Sequence, residues 1–380
     1  MFSFVSPQAI HFGRGQRHIA AKLAGSFGRS VLVVHGSARA RAEWLIEGCE
    51  EQGLSVTTIA CAREPALPDI QQALERFARY RPDVILALGG GSVMDFAKSV
   101  SALIGCSGPA KSYLELVGDG RGLDQAPVPL IALPTTAGTG AEVTKNAVLS
   151  VPEKGMKVSL RDPRMVPVAA IVDADLMQGA PKRVALSAAL DAITQVIEPY
   201  LSTKATLMTD ALCFAAIPIG LLSLRSLVED DDGAAWDEMA WVSTCGGLAL
   251  ANAGLGAVHG FAGVIGGKTG APHGEICGAL LPHVLQSHVE HAIAGTEIHD
   301  RIEWVCGQIN RHFADNGNSN GISKLAKWSA GMGLRNLTEM GLSADHHIEV
   351  ARASQNASSM KATPFPLDVS ELVMILREAS

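Results

Sequence analysis

Asp191 and Gln195 bracket the stretch Asp191-Ala-Ile-Thr-Gln195, and further along stand His259 and then His273, the latter in Pro272-His273-Gly274. On a helix, residues four apart project from one face. A second helix is expected from Leu248 to His259, and a loop ending in His273 brings another imidazole. One carboxylate and two neutral imidazoles make a ligand set for a divalent transition metal with coordination positions left open. Gln195 adds an amide oxygen, a weak and neutral ligand for such a metal. Taken singly, Asp191 fits a partly buried helix residue and each histidine an ordinary core or surface one. Their company with two polar glycine loops upstream points to chemistry.

The first loop is Gly89-Gly-Gly-Ser92, which follows a strand and opens a helix at Val93-Met-Asp-Phe-Ala-Lys98. Glycines there let backbone approach a pyrophosphate, and a helix N-terminus supplies free N–H groups and partial positive charge. Leu133-Pro-Thr-Thr-Ala-Gly-Thr-Gly140 repeats the device after the next strand. Either could be a plain tight turn. Two at adjacent strand ends are what a bound dinucleotide needs.

From Ser30 to about Val172, short β-branched runs alternate with helical stretches. Val31–Val34, Ser55–Ile59, Val84–Leu88, Leu130–Leu133 and Ala170–Val172 are predicted to be buried parallel strands. Helices are expected at Glu43–Gln52, Ile70–Tyr80 and Asp95–Gly105, and a hairpin around Lys154 to Lys157. After Pro181 the chain becomes Ala/Leu-rich and periodic, with breaks expected at Pro199, Pro218, Pro272 and 316–321, the last a surface loop. The reading is a doubly wound, Rossmann-like α/β domain over 1–180 followed by an all-helical domain over 181–380.

Bulk properties narrow the field. A chain of 380 residues is long enough for two domains. A 47% hydrophobic and 18% charged composition leaves material for burial beyond one core, and a homodimer is expected. The net charge of -7 argues against a nucleic-acid partner. The acidic run Glu229–Asp232 is expected as a solvated loop. The opening Met1–Pro7 lacks the basic and apolar regions of a signal peptide, and the apolar run Ala211–Leu224 is read as a buried helix too short to span a bilayer. Seven scattered cysteines without a CxxC pair suggest reduced thiols and a cytoplasmic setting.

Gly89-Gly-Gly-Ser-Val-Met-Asp-Phe-Ala-Lys98, Leu133-Pro-Thr-Thr-Ala-Gly-Thr-Gly-Ala-Glu-Val-Thr144, Gly256-Ala-Val-His-Gly260 and Pro272-His-Gly274 resemble the iron-dependent (group III) alcohol dehydrogenase family. The resemblance runs from Ile10-His-Phe-Gly13 to the C-terminal helix. It implies a dinucleotide domain, a helical domain and a bound metal. Gly89, Gly90, Gly91, Ser92 and Asp95 match contacts to pyrophosphate and ribose. Thr135, Thr136, Thr144, Asn146, Lys157 and Leu176 match the rest of the cofactor cleft. Asp191, His259 and His273 match metal ligands, and Gln195 stands where four-ligand members usually have His. The related glycerol dehydrogenases resemble a three-ligand design. Gly263 replaces another His that many members carry, one attributed to proton relay.

Where NAD-preferring members often place Asp, this chain has Gly36 and Ser37, followed by Arg39 and Arg41. An acid there would repel a 2′-phosphate; its absence opens the site to NADP as well as NAD, although both arginines could equally be solvated helix residues. The expected function is a metal-assisted (iron, zinc or nickel), nicotinamide-dependent oxidoreductase interconverting a small alcohol and an aldehyde or ketone. A degenerate member that binds dinucleotide without efficient metal chemistry is the alternative. A lyase resembling dehydroquinate synthase is weaker, because no clustered basic phosphate site can be assembled.

Overall fold

The computed structural model describes residues 1–314 and 320–380, so the loop expected at 316–321 lies largely outside the described residues. The chain divides into two compact units: 5–136 with 140–177, and 178–380 with 1–4 and 137–139.

In the first unit, chain order runs β1 (Ala9–Phe12), α1 (Ala20–Gly25), β2 (Ser30–His35), α2 (Glu43–Glu51), β3 (Ser55–Ala60), α3 (Leu67–Phe77), β4 (Val84–Gly89) and α4 (Gly91–Leu103). Then come β5 (Leu130–Pro134), the pair β6 (Asn146–Val151) and β7 (Met156–Arg161), and β8 (Ala169–Val172). Six strands form one parallel sheet in the order β1-β8-β5-β4-β2-β3. Buried residues of α3 and α4 pack on one face and those of α1 and α2 on the other, which explains why β2, β4 and β5 read as unbroken apolar runs. The expected strands and helices are present with shifted ends. The edge strand β1 is not legible in the sequence, because four residues, Ala-Ile-His-Phe, carry too little periodicity. The hairpin expected at Lys154–Lys157 forms, turning through Gly155 at φ +58°.

Strand order reverses between β2 and β4, β3 lying on one side of β2 and β4 on the other. The carboxyl ends of strands flanking such a switch form a crevice without added design.

The second unit is helical: α5 (Lys182–Leu201), α6 (Leu207–Arg225), α7 (Gly233–Ala253), α8 (Ala257–Thr269), α9 (His273–His291), α10 (Glu297–Phe313), α11 (Gly321–Gly331), α12 (His347–Gln355) and α13 (Val369–Glu378). Pro199 and Pro218 do not break it. Pro199 sits within the last turn of α5 and Pro218 lies inside α6. An interior proline costs about 3 kcal/mol; in α6 burial of Cys213, Ile217, Leu221 and Leu224 outweighs that cost. The apolar run is therefore part of a longer helix. Leu207–Asp230 is long and apolar enough to cross a membrane, and half of its most apolar window is packed inside the protein. The run Glu229–Asp232 is more than solvated loop: Asp232 caps α7, Asp231 accepts from Trp236 Nε1 at 2.7 Å, and Glu229 accepts from Trp328 Nε1 at 2.6 Å.

The continuous helix expected from Leu248 to His259 is instead two, α7 and α8, meeting at 97°. Gly254 lies at φ +72°, and a Cβ at Gly256 would stand 2.8 Å from Glu198 Oε1. The glycines permit the corner, and the corner decides where His259 points.

Candidate metal centre and dinucleotide cradle

Asp191 projects from the middle of α5, His259 from the first turn of α8, and His273 begins α9 after Pro272. Glycines bring α9 onto α5: a Cβ at Gly274 would be 2.4 Å from the Ser187 carbonyl, and one at Gly278 2.6 Å from Leu190 Cδ1. This close approach places His259 Nε2 3.3 Å and His273 Nε2 3.8 Å from Asp191 Oδ1. Asp191 is 2% exposed, and its Oδ1 has no hydrogen-bond partner. A buried carboxylate oxygen without a donor is costly. Facing two imidazole nitrogens, it is satisfied by a cation, so these residues suit a divalent metal.

Glu198, seven residues after Asp191 on α5, was not singled out in the sequence. Its carboxylate accepts from His259 Nδ1 at 2.6 Å and from the Val258 backbone N–H at 2.7 Å. It therefore caps α8 and fixes the proton of His259 on Nδ1, leaving the Nε2 lone pair turned to Asp191. Burial opposes charge on His259, yet Cys277, Glu198 and Asp191 hold it well above the usual histidine range. Burial likewise opposes charge on His273, while Cys277 and Asp191 push it up to about 9. Burial works to raise the Asp191 carboxyl, but His273 and His259 keep it below the ordinary range. The acidic groups and the thiol thus favour positive charge on the two imidazoles, and the imidazoles favour the Asp191 carboxylate.

Gln195 stands one turn after Asp191, and its side-chain nitrogen donates to the Gly138 carbonyl at 2.8 Å. Only the amide oxygen remains to offer. Cys277, one turn after His273, lies against both imidazoles, and its sulfur joins Asp191, His259 and His273 in a group whose ligand atoms all fall within 4.8 Å. The spacing His273-x-x-x-Cys277 carried that signal in the sequence. At Gly263 a Cβ would meet nothing within 4 Å, so the missing imidazole leaves open space.

In the α/β unit, a cavity of about 660 Å³ opens at the switch between β2 and β4. Gly36, Ser37, Gly89, Gly90, Thr135 and Leu176 line it, joined by Arg41. Helix α4 starts at Gly91 with Gly90 as its uncapped N-cap, so its first N–H groups are free of a side-chain cap near Gly89 and Gly90. Gly90 packs on Thr136, whose Oγ1 would be 3.2 Å from an added Cβ. Ser92 and Asp95 follow in the first turns of α4. Thr144 and Asn146 hold Lys98, which is 1% exposed and donates to Thr144 Oγ1 at 2.6 Å and to the Asn146 carbonyl at 3.0 Å. Burial drives the Lys98 ammonium down to about 8 against Asp95 and Glu142. Lys157 pairs with Glu64. Arg39 is engaged with Glu43 at 3.4 Å and Thr58 at 3.3 Å.

Residues 7–174 match the family model described as iron-containing alcohol dehydrogenase, and residues 185–380 match the C-terminal model of the Fe-containing alcohol dehydrogenase family. The chain belongs to the iron-containing alcohol dehydrogenase family. It is similar to lactaldehyde reductase of Escherichia coli K12, 35% identical over 226 residues covering 60% of this chain and 58% of that protein. It is also similar to NAD-dependent methanol dehydrogenase of Bacillus methanolicus, 26% identical with both chains fully covered. Among solved structures, an iron-containing alcohol dehydrogenase of Thermotoga maritima superposes with a TM-score of 0.85 at 26% identity, covering 100% of this chain and 99% of that one.

Proposed function

We propose that this protein is a metal-assisted, nicotinamide-dependent dehydrogenase or reductase interconverting a small alcohol and its aldehyde or ketone. The observation that carries this reading is the partnerless buried Oδ1 of Asp191 facing two imidazole Nε2 atoms. Asp191, His259 and His273 hold the ion, which when bound supplies Lewis-acid polarisation of the substrate oxygen. Glu198 keeps the His259 ring oriented and in one tautomer. Gly89, Gly90, Gly91 and Ser92, with the α4 N-terminus, hold a pyrophosphate; the nicotinamide supplies hydride chemistry. Thr135, Thr136 and Leu176 shape the same cradle, with Asp95, Thr144, Asn146 and Lys157 around it.

Cofactor choice follows from Gly36 and Ser37, which line the cavity and bring no carboxylate of their own, while the cavity's Asp175 is paired with Arg14 and Arg17. NADPH serves at least as well as NADH, and Gly36→Asp shifts preference to NADH because an acid repels the 2′-phosphate. Zinc or nickel is retained more readily than ferrous iron, since Gln195 supplies no imidazole to the site. The protein works as a cytoplasmic homodimer.

The deciding experiment measures metal content and aldehyde turnover with NADPH and NADH on the wild type and His259→Ala. Loss of both metal and turnover in the variant supports the reading. Retention of both would overturn the site and leave a dinucleotide-binding protein only.

A further inference from the structure

Three ligand atoms converge on one point, two from the buried residues Asp191 and His259 and one from the part-exposed His273. The Nε2 lone pair of His259 faces it because Nδ1 is committed to Glu198, Oδ1 of Asp191 faces it without a donor, and Nε2 of His273 completes the set. The Cys277 sulfur lies 3.8 Å from His259 Nε2 and 3.7 Å from His273 Nε2, at 0% residue exposure. Protons alone would satisfy these atoms only by charging two adjacent imidazoles, whose ring centroids lie 5.2 Å apart. A metal ion bound through a thiolate satisfies all of them together.

The distances agree with that role. Zinc binds sulfur at about 2.3 Å and nitrogen or oxygen at about 2.0–2.1 Å, so a regular tetrahedron has sulfur–nitrogen edges of about 3.6 Å and nitrogen–oxygen edges of about 3.4 Å. The corresponding separations here are 3.8 and 3.7 Å for sulfur and nitrogen, and 3.3 and 3.8 Å for nitrogen and Asp191 oxygen. Meanwhile the nitrogen of Gln195 is held by Gly138, and the oxygen left over is a poor exchange for an imidazole.

We propose that the Cys277 thiolate, rather than Gln195, is the fourth protein ligand of the metal. The site is then Asp191, His259, His273 and Cys277, from α5, α8 and α9. Two anionic ligands neutralise a divalent ion, and the soft sulfur favours zinc or cobalt over magnesium or manganese. The inference rests on the metal-binding reading above and adds to it the identity of a ligand.

Cobalt(II) exchanged into the full-length protein tests it without recourse to turnover. Visible ligand-field bands report cobalt bound at the site, and a near-ultraviolet thiolate-to-cobalt charge-transfer band reports sulfur ligation. The wild type is expected to show both, and Gln195→Ala to keep both. Cys277→Ser is expected to lose the charge-transfer band and to bind cobalt more weakly by more than the roughly hundredfold that loss of an outer hydrogen-bond partner costs at most. Asp191→Asn should diminish both signals together, tying the sulfur to this site. Visible bands without charge transfer in the wild type overturn the thiolate ligand and leave the metal reading standing. That measurement needs no variant to fold. Absence of cobalt uptake by the wild type overturns both.

Discussion

Glu198 shows how much one side chain can settle. Its two oxygens hold the α8 N-terminus and the His259 ring at once. Glu198→Gln keeps the size but replaces an acceptor with a donor on one side. Metal affinity is expected to fall roughly tenfold to a hundredfold, read by competition against a chromophoric chelator; unchanged affinity would remove Glu198 from the site's architecture. Glu275, two residues after His273, is 3% exposed and accepts from Arg183 Nε at 2.6 Å and Arg335 Nε at 2.9 Å. Burial works to raise its pKa, but Arg183 and Arg335 outweigh it and hold the group below the usual range. A carboxylate depressed in the fold contributes stability that is complete above the unfolded value, about 4.3. That contribution disappears as pH falls through the lower folded value. Glu275→Gln should cost about 1–3 kcal/mol near neutrality and flatten the acid limb of stability. Urea denaturation at several pH values checks this, and parallel wild-type and variant curves would refute it.

At the scale of elements, the site depends on helices that glycine allows to touch. Gly274 brings the start of α9 against the Ser187 carbonyl of α5, where an added Cβ would be 2.4 Å away. Gly274→Ala must therefore push α9 outward, carrying His273 from Asp191. Overpacking of this kind costs about 1–3 kcal/mol, and thermal melting should show a lower midpoint together with weaker metal binding. A melt indistinguishable from wild type would mean that the contact is easily relieved. Pro218 lies inside α6, whereas Leu248–His259 is split between α7 and α8. Proline and glycine are local signals, whereas continuation through Pro218 depends on what buries Ile217 and Leu221. The corner at Gly254–Gly256 depends on Glu198, far away in the sequence.

For the whole molecule, the sheet leaves β1 as an edge strand with Ile10 and Phe12 exposed at 37% and 39%. An edge strand carrying exposed apolar side chains is a template for pairing with another strand, which supports the proposed homodimer. The double variant Ile10→Lys, Phe12→Lys should shift the mass measured by sedimentation equilibrium from dimer to monomer. A wild-type monomer, or a dimer untouched by the substitutions, would place the interface elsewhere or nowhere.

Periodicity and side-chain type determined a good deal without any structure. Buried strands such as Val31–Val34 announce themselves because both sheet faces are covered, and glycine loops at strand ends announce a ligand that approaches backbone. Asp191, His259 and His273 could be singled out because few other roles want those types after such loops. Glu198 and Cys277 also carried spacing signals, at seven residues from Asp191 and four from His273. Neither could be weighed, because a carboxylate or thiol on a helix has many uses until its neighbours are known. The strand order, the 97° corner and the meeting of α5, α8 and α9 were decided by tertiary structure alone. The reason is physical: residue type sets which atoms can bind an ion, but ligation depends on separations of a few ångströms between atoms distant in sequence, and only packing fixes those.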